Sequence, residues 1–456
     1  MNQSFSFPRL LRLSTFQIGS AMGDILVTSI WNRIMIVNFG IPALPVSFLI
    51  ALRYLLSPLS LWAGFRSDTK PLWGMQRSSY IWLGRGLMVL SLPLLGLSVG
   101  RLGNNSADIS GWTFATLSSL LYGIGTLISG SPFLALVRDS APTEKQGLAI
   151  STVETVLIIF FAIMGIGFSQ WMKVYDVQIF WQMIIGTMVI GGFFWVFAIW
   201  GAEKRGESSR NPVVTHDAPL GRRQIQYAGF TNTFRKIWTD PRTRRFFFFL
   251  SLSTLAAWGQ DAILEPFGAE VFNLELDRTT RFNSYWQAAT VITLVGGAYL
   301  WRKRPPEQQS RIAGGGLIIM AAGMALLALA SMMEIVYMIE LALLIFGGGF
   351  GVYTFGGLSL MAVMCTDEDA GSYLGLWTIS ILIFKGLGTF VGGAVRDFLL
   401  LNLEVGAAIS YGAVFILEAA GLVGAVLILA RLDVLGFARD MGRTFSRTEA
   451  QIASTD

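Results

Sequence analysis

Ten ionisable side chains lie inside long apolar stretches, and they are the residues of this sequence that could do chemistry. They are Asp24, Arg33, Arg53, Arg85, Glu154, Asp261, Glu265, Glu270, Lys385 and Glu418. If these stretches cross a bilayer, a charge at their centre costs roughly 3 kcal/mol on insertion scales. We therefore expect each to bind a ligand, carry a proton or join helices. Asp24, Glu154 and Glu418 are predicted to be proton-carrying or ion-paired groups.

The segment from Gln260 to Pro266 concentrates such groups. Asp261 and Glu265 are four residues apart, so they would share one face of a helix. Pro266 follows directly and cannot donate a backbone hydrogen bond, so we expect the helix to bend or break there and free carbonyl groups. This segment, Gln260, Asp261, Glu265 and Pro266, is predicted to line a central cavity.

Other polar side chains are predicted to face the same cavity. Asn32 and Arg33 are the candidates from the first apolar stretch, and Lys385 is the candidate from a later one. Two alternatives stay open. Arg33 could reach to the membrane interface instead, and Arg33 or Lys385 could form an ion pair with the carboxylates of Asp261 or Glu265 across the molecule.

Membrane-spanning helices must position these side chains. The chain has 456 residues, of which 53% are hydrophobic and 14% charged, whereas soluble domains carry roughly 25% charged residues. A span needs about 20 apolar residues. We predict twelve spans, numbered here in chain order: 14–38, 43–65, 79–100, 111–136, 147–170, 179–201, 246–272, 281–301, 311–332, 336–361, 370–394 and 405–431.

The spans divide into two groups of six. The predicted organisation is an N-terminal six-helix bundle at 1–201, a basic linker at 202–245, a C-terminal six-helix bundle at 246–431 and a tail at 432–456. With both termini in the cytoplasm, 25 of the 34 Lys and Arg fall on the cytoplasmic side and five on the other. This bias fixes the predicted orientation, and the halves are predicted to be pseudo-repeats.

The sequence also argues against several kinds of site. The single cysteine, Cys365, excludes an internal disulfide, and the single histidine, His216, lies in the polar linker. The acidic run Asp367 to Asp369 is contiguous, whereas prenyl-transferring synthases need spaced aspartate pairs that bind magnesium diphosphate. We therefore predict that the chain is not an enzyme and that it has no metal site and no tightly bound cofactor. We also predict that it does not bind nucleic acid.

The loop between spans 2 and 3 resembles the signature loop of the major facilitator superfamily. Gly64 is followed by Asp68 and by basic residues up to Arg77. Such a loop holds the two halves in one conformational state through charge-assisted hydrogen bonds at helix ends. The predicted latch residues are Gly64, Asp68, Arg77, Arg85, Arg138 and Asp139. With the twelve predicted spans, this resemblance implies an all-α membrane protein with the major facilitator fold.

Further segments carry a more specific resemblance. Span 1 contains Trp31 to Ala43, span 7 contains Gln260 to Gly268, and the loop after span 4 contains Arg138 to Pro142. Together these segments resemble the PucC/LhaA family, the bacteriochlorophyll-delivery branch of the superfamily. The resemblance implies a role in assembling light-harvesting complexes, with antenna polypeptides and pigment-synthesis or insertion proteins as partners. It also implies a photosynthetic or plasma membrane, which would be an inner, intracytoplasmic or thylakoid membrane.

The implied cargo is chlorophyll or bacteriochlorophyll, whose magnesium needs an oxygen or nitrogen ligand. No span supplies histidine. Asn32, Gln260, Glu265, a carbonyl beside Pro266 or a water molecule are the alternatives, so we expect loose binding by shape. A second hypothesis is a proton-coupled transporter of a small or amphipathic solute, with Asp24, Asp261 or Glu265 carrying the proton.

Overall fold

The computed structural model describes residues 6–142, 145–203, 235, 238–301, 306–364, 370–434 and 436. These residues are almost all helical, and the β-structure among them is an isolated bridge between Leu72 and Met75. The all-α prediction is confirmed for this part of the chain. Most of the linker, most of the tail, His216, Cys365 and the Asp367–Asp369 cluster lie outside it.

The helices follow the predicted spans closely. After a short helix at Phe7–Ser14, span 1 runs through Phe16–Ile25, Leu26–Ile30, Trp31–Arg33 and Ile34–Asn38, and the second and fourth of these segments are π-helical turns. Spans 2 to 6 are Ala43–Ser67, Ser78–Asn104, Ile109–Asp139, Ala149–Trp171 and Val177–Ile199. Spans 8 to 12 are Leu276–Trp301, Pro306–Met333, Val336–Val363, Ala370–Asp397 and Ala407–Ala430.

Nine of the described helices are long and apolar enough to cross a membrane individually, and span 7 adds a tenth as a bent pair. Spans 1 and 8 complete the predicted twelve, since both are helical throughout at the predicted positions. They carry more polar side chains, including Asn32 and Arg33 on span 1 and Asn283 and Gln287 on span 8. The chain is therefore an integral membrane protein.

Span 7 breaks one turn earlier than predicted. Pro241–Trp258 is followed by a 3-10 turn at Gly259–Ala262, and Leu264–Phe272 then continues at 47° to the first part. The break therefore precedes Pro266, which lies in the first turn of the second segment. A proline is tolerated there because the first turn's N–H groups have no intrahelical acceptor. The prediction of a break at Pro266 was wrong in position.

The two halves meet along two pairs of helices, spans 2 and 11 and spans 5 and 8. Small residues allow this approach. A Cβ atom at Gly386 of span 11 would lie 3.0 Å from the Ala51 carbonyl oxygen of span 2. Twelve spans place both termini at one face, called here the terminal face. The loops after odd-numbered spans lie at the opposite face. The assignment of the terminal face to the cytoplasm stays a prediction.

Candidate functional site

A cavity of about 260 Å³ lies between the two halves. Spans 1, 2, 4 and 5 contribute to it from the first half, and spans 7, 8 and 11 contribute from the second. Its polar and charged lining residues are Asp24, Thr28, Arg53, Tyr54, Thr126, Asp261, Asn283, Gln287 and Lys385. Its apolar lining residues are Ile25, Leu127, Leu157, Phe161, Trp258, Trp286 and Leu382.

Asp24 and Arg53 form an ion pair in the wall contributed by the first half. The Nη1 of Arg53 lies 2.7 Å from the Oδ1 of Asp24, and the Tyr122 hydroxyl donates to the same oxygen at 2.7 Å. The Arg53 guanidinium also lies 4.5 Å from the ring centroid of Tyr54. The sequence predicted Asp24 but missed Arg53 and Tyr122 as its partners, because they lie on spans 2 and 4.

Lys385 and Asp261 face the cavity from the second half. The Nζ of Lys385 lies 3.2 Å from the ring centroid of Trp258 and 4.5 Å from that of Tyr54. The side chains of Lys385 and Asp261 make no ion pair or hydrogen bond with the described residues. The alternative of an ion pair between Lys385 and Asp261 or Glu265 is therefore not what the structure shows.

Glu265 lies behind the cavity wall, since only 3% of its surface is exposed. The Ser29 hydroxyl of span 1 donates to its Oε1, and the Nδ2 of Asn283 donates to the same atom at 2.9 Å. Its Oε2 has no partner among the described residues. Asp261 lines the cavity and Glu265 does not, so the two carboxylates do not face it together as expected.

Asn32 and Arg33 also lie outside the cavity lining and instead tie span 1 to span 7 and the loop after it. The Nδ2 of Asn32 donates to the Ala262 carbonyl at 2.6 Å, and the Nη2 of Arg33 donates to the Leu274 carbonyl at 3.0 Å. The Ala262 carbonyl lies at the break in span 7, and the Leu274 carbonyl lies just beyond the end of that span. Asn32 and Arg33 were predicted to line the cavity, and the structure places them elsewhere. The same holds for Gln260 and Pro266, which are buried in span 7.

A further set of contacts joins the halves at the opposite face. The Oδ2 of Asp397, at the end of span 11, accepts the backbone N–H of Leu44 at 2.6 Å. Arg396 pairs with Asp397 at 2.6 Å and with Glu270 of span 7. This cluster was not predicted, although Arg396 and Asp397 are adjacent opposite charges just beyond the predicted end of span 11 at residue 394.

Glu154 and Glu418 do not reach the cavity. Glu154 is half-buried on span 5 and makes no polar contact with the described residues. Glu418 of span 12 is 4% exposed, and neither of its carboxyl oxygens has a described partner. It packs against the backbone of Gly259, where span 7 breaks.

The predicted latch residues divide between two places. Arg77 pairs with Asp139 at the end of span 4 and donates to the Ala135 carbonyl at 2.5 Å, and Arg138 lies 3.2 Å from Asp139. Gly64 lets span 2 approach Ser131 of span 4. These described contacts lie within the first half, whereas the prediction placed the latch between halves. The side chain of Asp68 lies outside the described residues.

Arg85 has a different environment from the predicted one. It is 6% exposed, and its guanidinium lies between the rings of Phe16 and Trp195, 4.2 and 4.8 Å from their centroids. Cation–π contacts with spans 1 and 6 therefore replace the expected role in the latch.

Glu203, four residues after the end of span 6, is a structural residue that was not predicted. Its carboxylate accepts the backbone N–H groups of Gln76, Arg77 and Ser78 at 2.6, 3.1 and 2.9 Å. These groups belong to the start of span 3, where unpaired N–H groups favour a negative charge. Glu203 thus fixes the loop that carries Arg77 against span 6.

Known proteins resemble this chain in sequence and in fold. It is 27% identical over 409 residues to Protein PucC of Rhodovulum sulfidophilum, covering 87% of this chain and 86% of that protein. It is also 27% identical over 416 residues to a protein of Rhodobacter capsulatus named Bacteriochlorophyll synthase 44.5 kDa chain, covering 89% and 91% of the two chains.

Among solved structures, a POT family transporter in complex with 5-aminolevulinic acid matches with a TM-score of 0.69 and 13% identity over 96% of this chain and 98% of that one. A bacterial homologue of the lysosomal transporter Spinster matches with a TM-score of 0.63 and 16% identity, over 96% and 98% of the two chains. At these identities the likeness shows the fold alone, and that fold is the major facilitator fold. The model of the family described as PUCC protein matches residues 30–437, and this chain belongs to that family.

Proposed function

We propose that this chain is a membrane assembly factor for photosynthetic light-harvesting complexes, which delivers or shelters chlorophyll or bacteriochlorophyll during antenna assembly. The match of the PUCC family to residues 30–437 is the observation that supports this proposal. The relative named Bacteriochlorophyll synthase 44.5 kDa chain adds a link between this family and pigment chemistry. Our proposal for this chain is non-enzymatic, since its sequence lacks the spaced aspartate pairs of a synthase.

The size of the central cavity argues for pigment contact elsewhere on the protein. A volume of about 260 Å³ lies below the roughly 300–1,000 Å³ of sites for drug-sized ligands, and a tetrapyrrole with an isoprenoid tail is larger than such ligands. Asn32 and Glu265, candidates for the magnesium ligand, are buried in contacts between the halves. In our proposal the pigment contacts the lipid-facing helices, where Phe193 and Phe197 on span 6 and Trp200 just after it expose aromatic rings.

Antenna polypeptides and pigment-synthesis or insertion proteins are the proposed partners. The proposed location is a photosynthetic or plasma membrane with both termini in the cytoplasm, consistent with the excess of Lys and Arg in the loops of the terminal face.

Deletion of this chain in the phototroph that carries it tests the proposal. We expect loss of antenna absorption bands while the pool of extractable pigment stays normal, and restoration by the reintroduced gene. A tagged copy purified gently from the same membranes should carry chlorophyll-type absorption and antenna or pigment-synthesis proteins. Normal antenna in the deletion strain, or loss of pigment synthesis itself, would contradict the proposal.

The cavity also favours a second candidate function, the transport of a small solute. It lies between the halves and is lined by charged residues from both of them. Saturable uptake into proteoliposomes, driven by a pH gradient, would support this candidate. This uptake can be measured without antenna polypeptides, so its result does not depend on antenna assembly.

A further inference from the structure

The central cavity holds charges of both signs, and they differ in whether the protein already pairs them. Asp24 and Arg53 pair with each other at 2.7 Å. Lys385 and Asp261 line the same cavity without an ion pair or a side-chain hydrogen bond to any described residue. One cation and one anion are therefore left for a ligand.

The surroundings of Lys385 leave it ready for a carboxylate. Its ammonium contacts the rings of Trp258 and Tyr54. A cation–π contact contributes about 0.5–2 kcal/mol, but it does not satisfy the three N–H donors of the ammonium group. A carboxylate would accept charge-assisted hydrogen bonds from those donors while the rings stay in place.

Aromatic and amide side chains also line the site. Trp258 and Trp286 meet edge to face with ring centroids 5.9 Å apart, and Phe161 lines the wall contributed by span 5. Asn283 and Gln287 provide amide groups on span 8. Such a mixture of apolar walls and a few polar groups is typical of a site for a small molecule.

The volume limits the size of that molecule. Sites for drug-sized ligands occupy about 300–1,000 Å³, and this cavity, at about 260 Å³, is smaller. The cavity therefore favours a small ligand.

We propose that the central cavity binds a small zwitterion, a molecule with a carboxylate and an ammonium group on a short apolar body. Lys385 binds the carboxylate, Asp261 binds the ammonium group, and Trp258 and Trp286 contact the body. A ligand with a single charge would leave either Lys385 or Asp261 unpaired in a partly desolvated site, which is unfavourable. This inference concerns binding and does not depend on the role in antenna assembly.

Thermal unfolding of the purified full chain, with three matched probes, tests the charge requirement. The probes are 6-aminohexanoate, hexanoate and hexylammonium, which share a chain length and differ in charge. We expect a saturable rise of a few degrees in the melting temperature with 6-aminohexanoate, because a ligand that binds only the folded state stabilises it. Phenylalanine and 4-aminobutanoate extend the set of zwitterions.

Substitutions in the cavity assign the two charges. We expect Lys385→Met and Asp261→Asn each to weaken binding of the responding zwitterion at least tenfold, while Lys385→Arg and Asp261→Glu retain it. Lys173→Met and Glu404→Gln change exposed charges at the opposite face and serve as matched controls. The retained binding of the charge-conserving variants separates loss of a ligand contact from loss of folding.

Two results would overturn the proposal. Equal shifts with hexanoate and 6-aminohexanoate, unchanged in Asp261→Asn, would identify a simple anion site. No saturable shift with any of the three zwitterions at tens of millimolar would mean that the cavity does not take this class of ligand. Neither result would bear on antenna assembly, which the deletion strain tests separately.

Discussion

The carboxylate of Asp397 accepts the backbone N–H of Leu44 at 2.6 Å, and this bond joins the end of span 11 to the start of span 2. The acceptor belongs to the second half of the molecule and the donor to the first half. Arg396 holds the carboxylate in place through its own ion pair at 2.6 Å. Leu44 lies in the first turn of span 2, and a negative charge such as the Asp397 carboxylate is favourable at the start of a helix. Asp397 therefore joins the two halves at the opposite face.

We predict that Asp397→Ala shifts the chain towards a state open at the opposite face. A hydrogen bond to a charged group contributes about 1.5–3 kcal/mol, so its loss should change the ratio of closed to open states by about tenfold or more. Spin labels at Asn104→Cys and Glu334→Cys, in a Cys365→Ser background, report the distance between exposed sites on the two halves at this face.

Asp176→Ala is the matched control, because Asp176 caps the start of span 6 within the first half and makes no described contact with the second. We expect its distance distribution to match that of the parent. If Asp397→Ala also leaves the distribution unchanged, Asp397 does not contribute to closure.

A second prediction concerns the contact between Ser29 and Glu265. Both residues are buried, and they lie on spans 1 and 7 of different halves. Residues in contact usually show a coupling energy of about 0.5–3 kcal/mol. We therefore expect the loss of stability in the double variant Ser29→Ala/Glu265→Gln to be smaller than the sum of the two single losses, as measured by thermal unfolding.

Ser29→Ala combined with Glu154→Gln provides the comparison, because Glu154 has no described polar contact. The two effects in that pair should add. Additivity in the Ser29 and Glu265 pair as well would show that the bond contributes nothing to stability.

Features of this site that lie within one span could be predicted from the sequence. Contacts between different spans could not. The spans were predictable because a bilayer imposes a length and an apolar composition on each helix. Lys385 and Asp261 were identified because a charge in an apolar stretch is visible without a structure. The pairing of Asp24 with Arg53, and the contact of Lys385 with Trp258, depend on which helix faces meet, which no single span records.

Span 7 shows why local rules placed some residues wrongly. Pro266 was the expected breaking point, yet the chain turns at Gly259 to Ala262, one turn earlier. The backbone of Gly259 packs against Gly392 and Glu418, which only a glycine permits at that distance. Asp261 lines the cavity whereas Glu265 is buried behind its wall, so their spacing of four residues did not place both in the cavity.

A third prediction concerns Glu203, whose carboxylate accepts three backbone N–H groups at the start of span 3. Loss of a helix-capping side chain costs about 0.5–2 kcal/mol. We expect Glu203→Ala to lower the melting temperature and to loosen the loop of Arg77, which then becomes more sensitive to limited proteolysis. Glu404→Ala, at an exposed position of the opposite face, should change neither. Equal protease sensitivity of Glu203→Ala and the parent would contradict the capping role.

The fourth prediction is a pH dependence at Asp108, which precedes span 4 at the opposite face. Its carboxylate accepts the hydroxyl and the backbone N–H of Ser110, and these bonds hold the pKa of Asp108 below its usual value of 3.8. Because the folded pKa lies below the unfolded one, the stabilisation is present above pH 3.8 and is lost as the pH falls through the folded pKa. We expect the parent to be more stable than Asp108→Asn at neutral pH and the difference to vanish in acid. Thermal unfolding of both proteins from neutral to acid pH measures this difference in stability. If the difference stays constant with pH, it does not come from the charge of the Asp108 carboxylate.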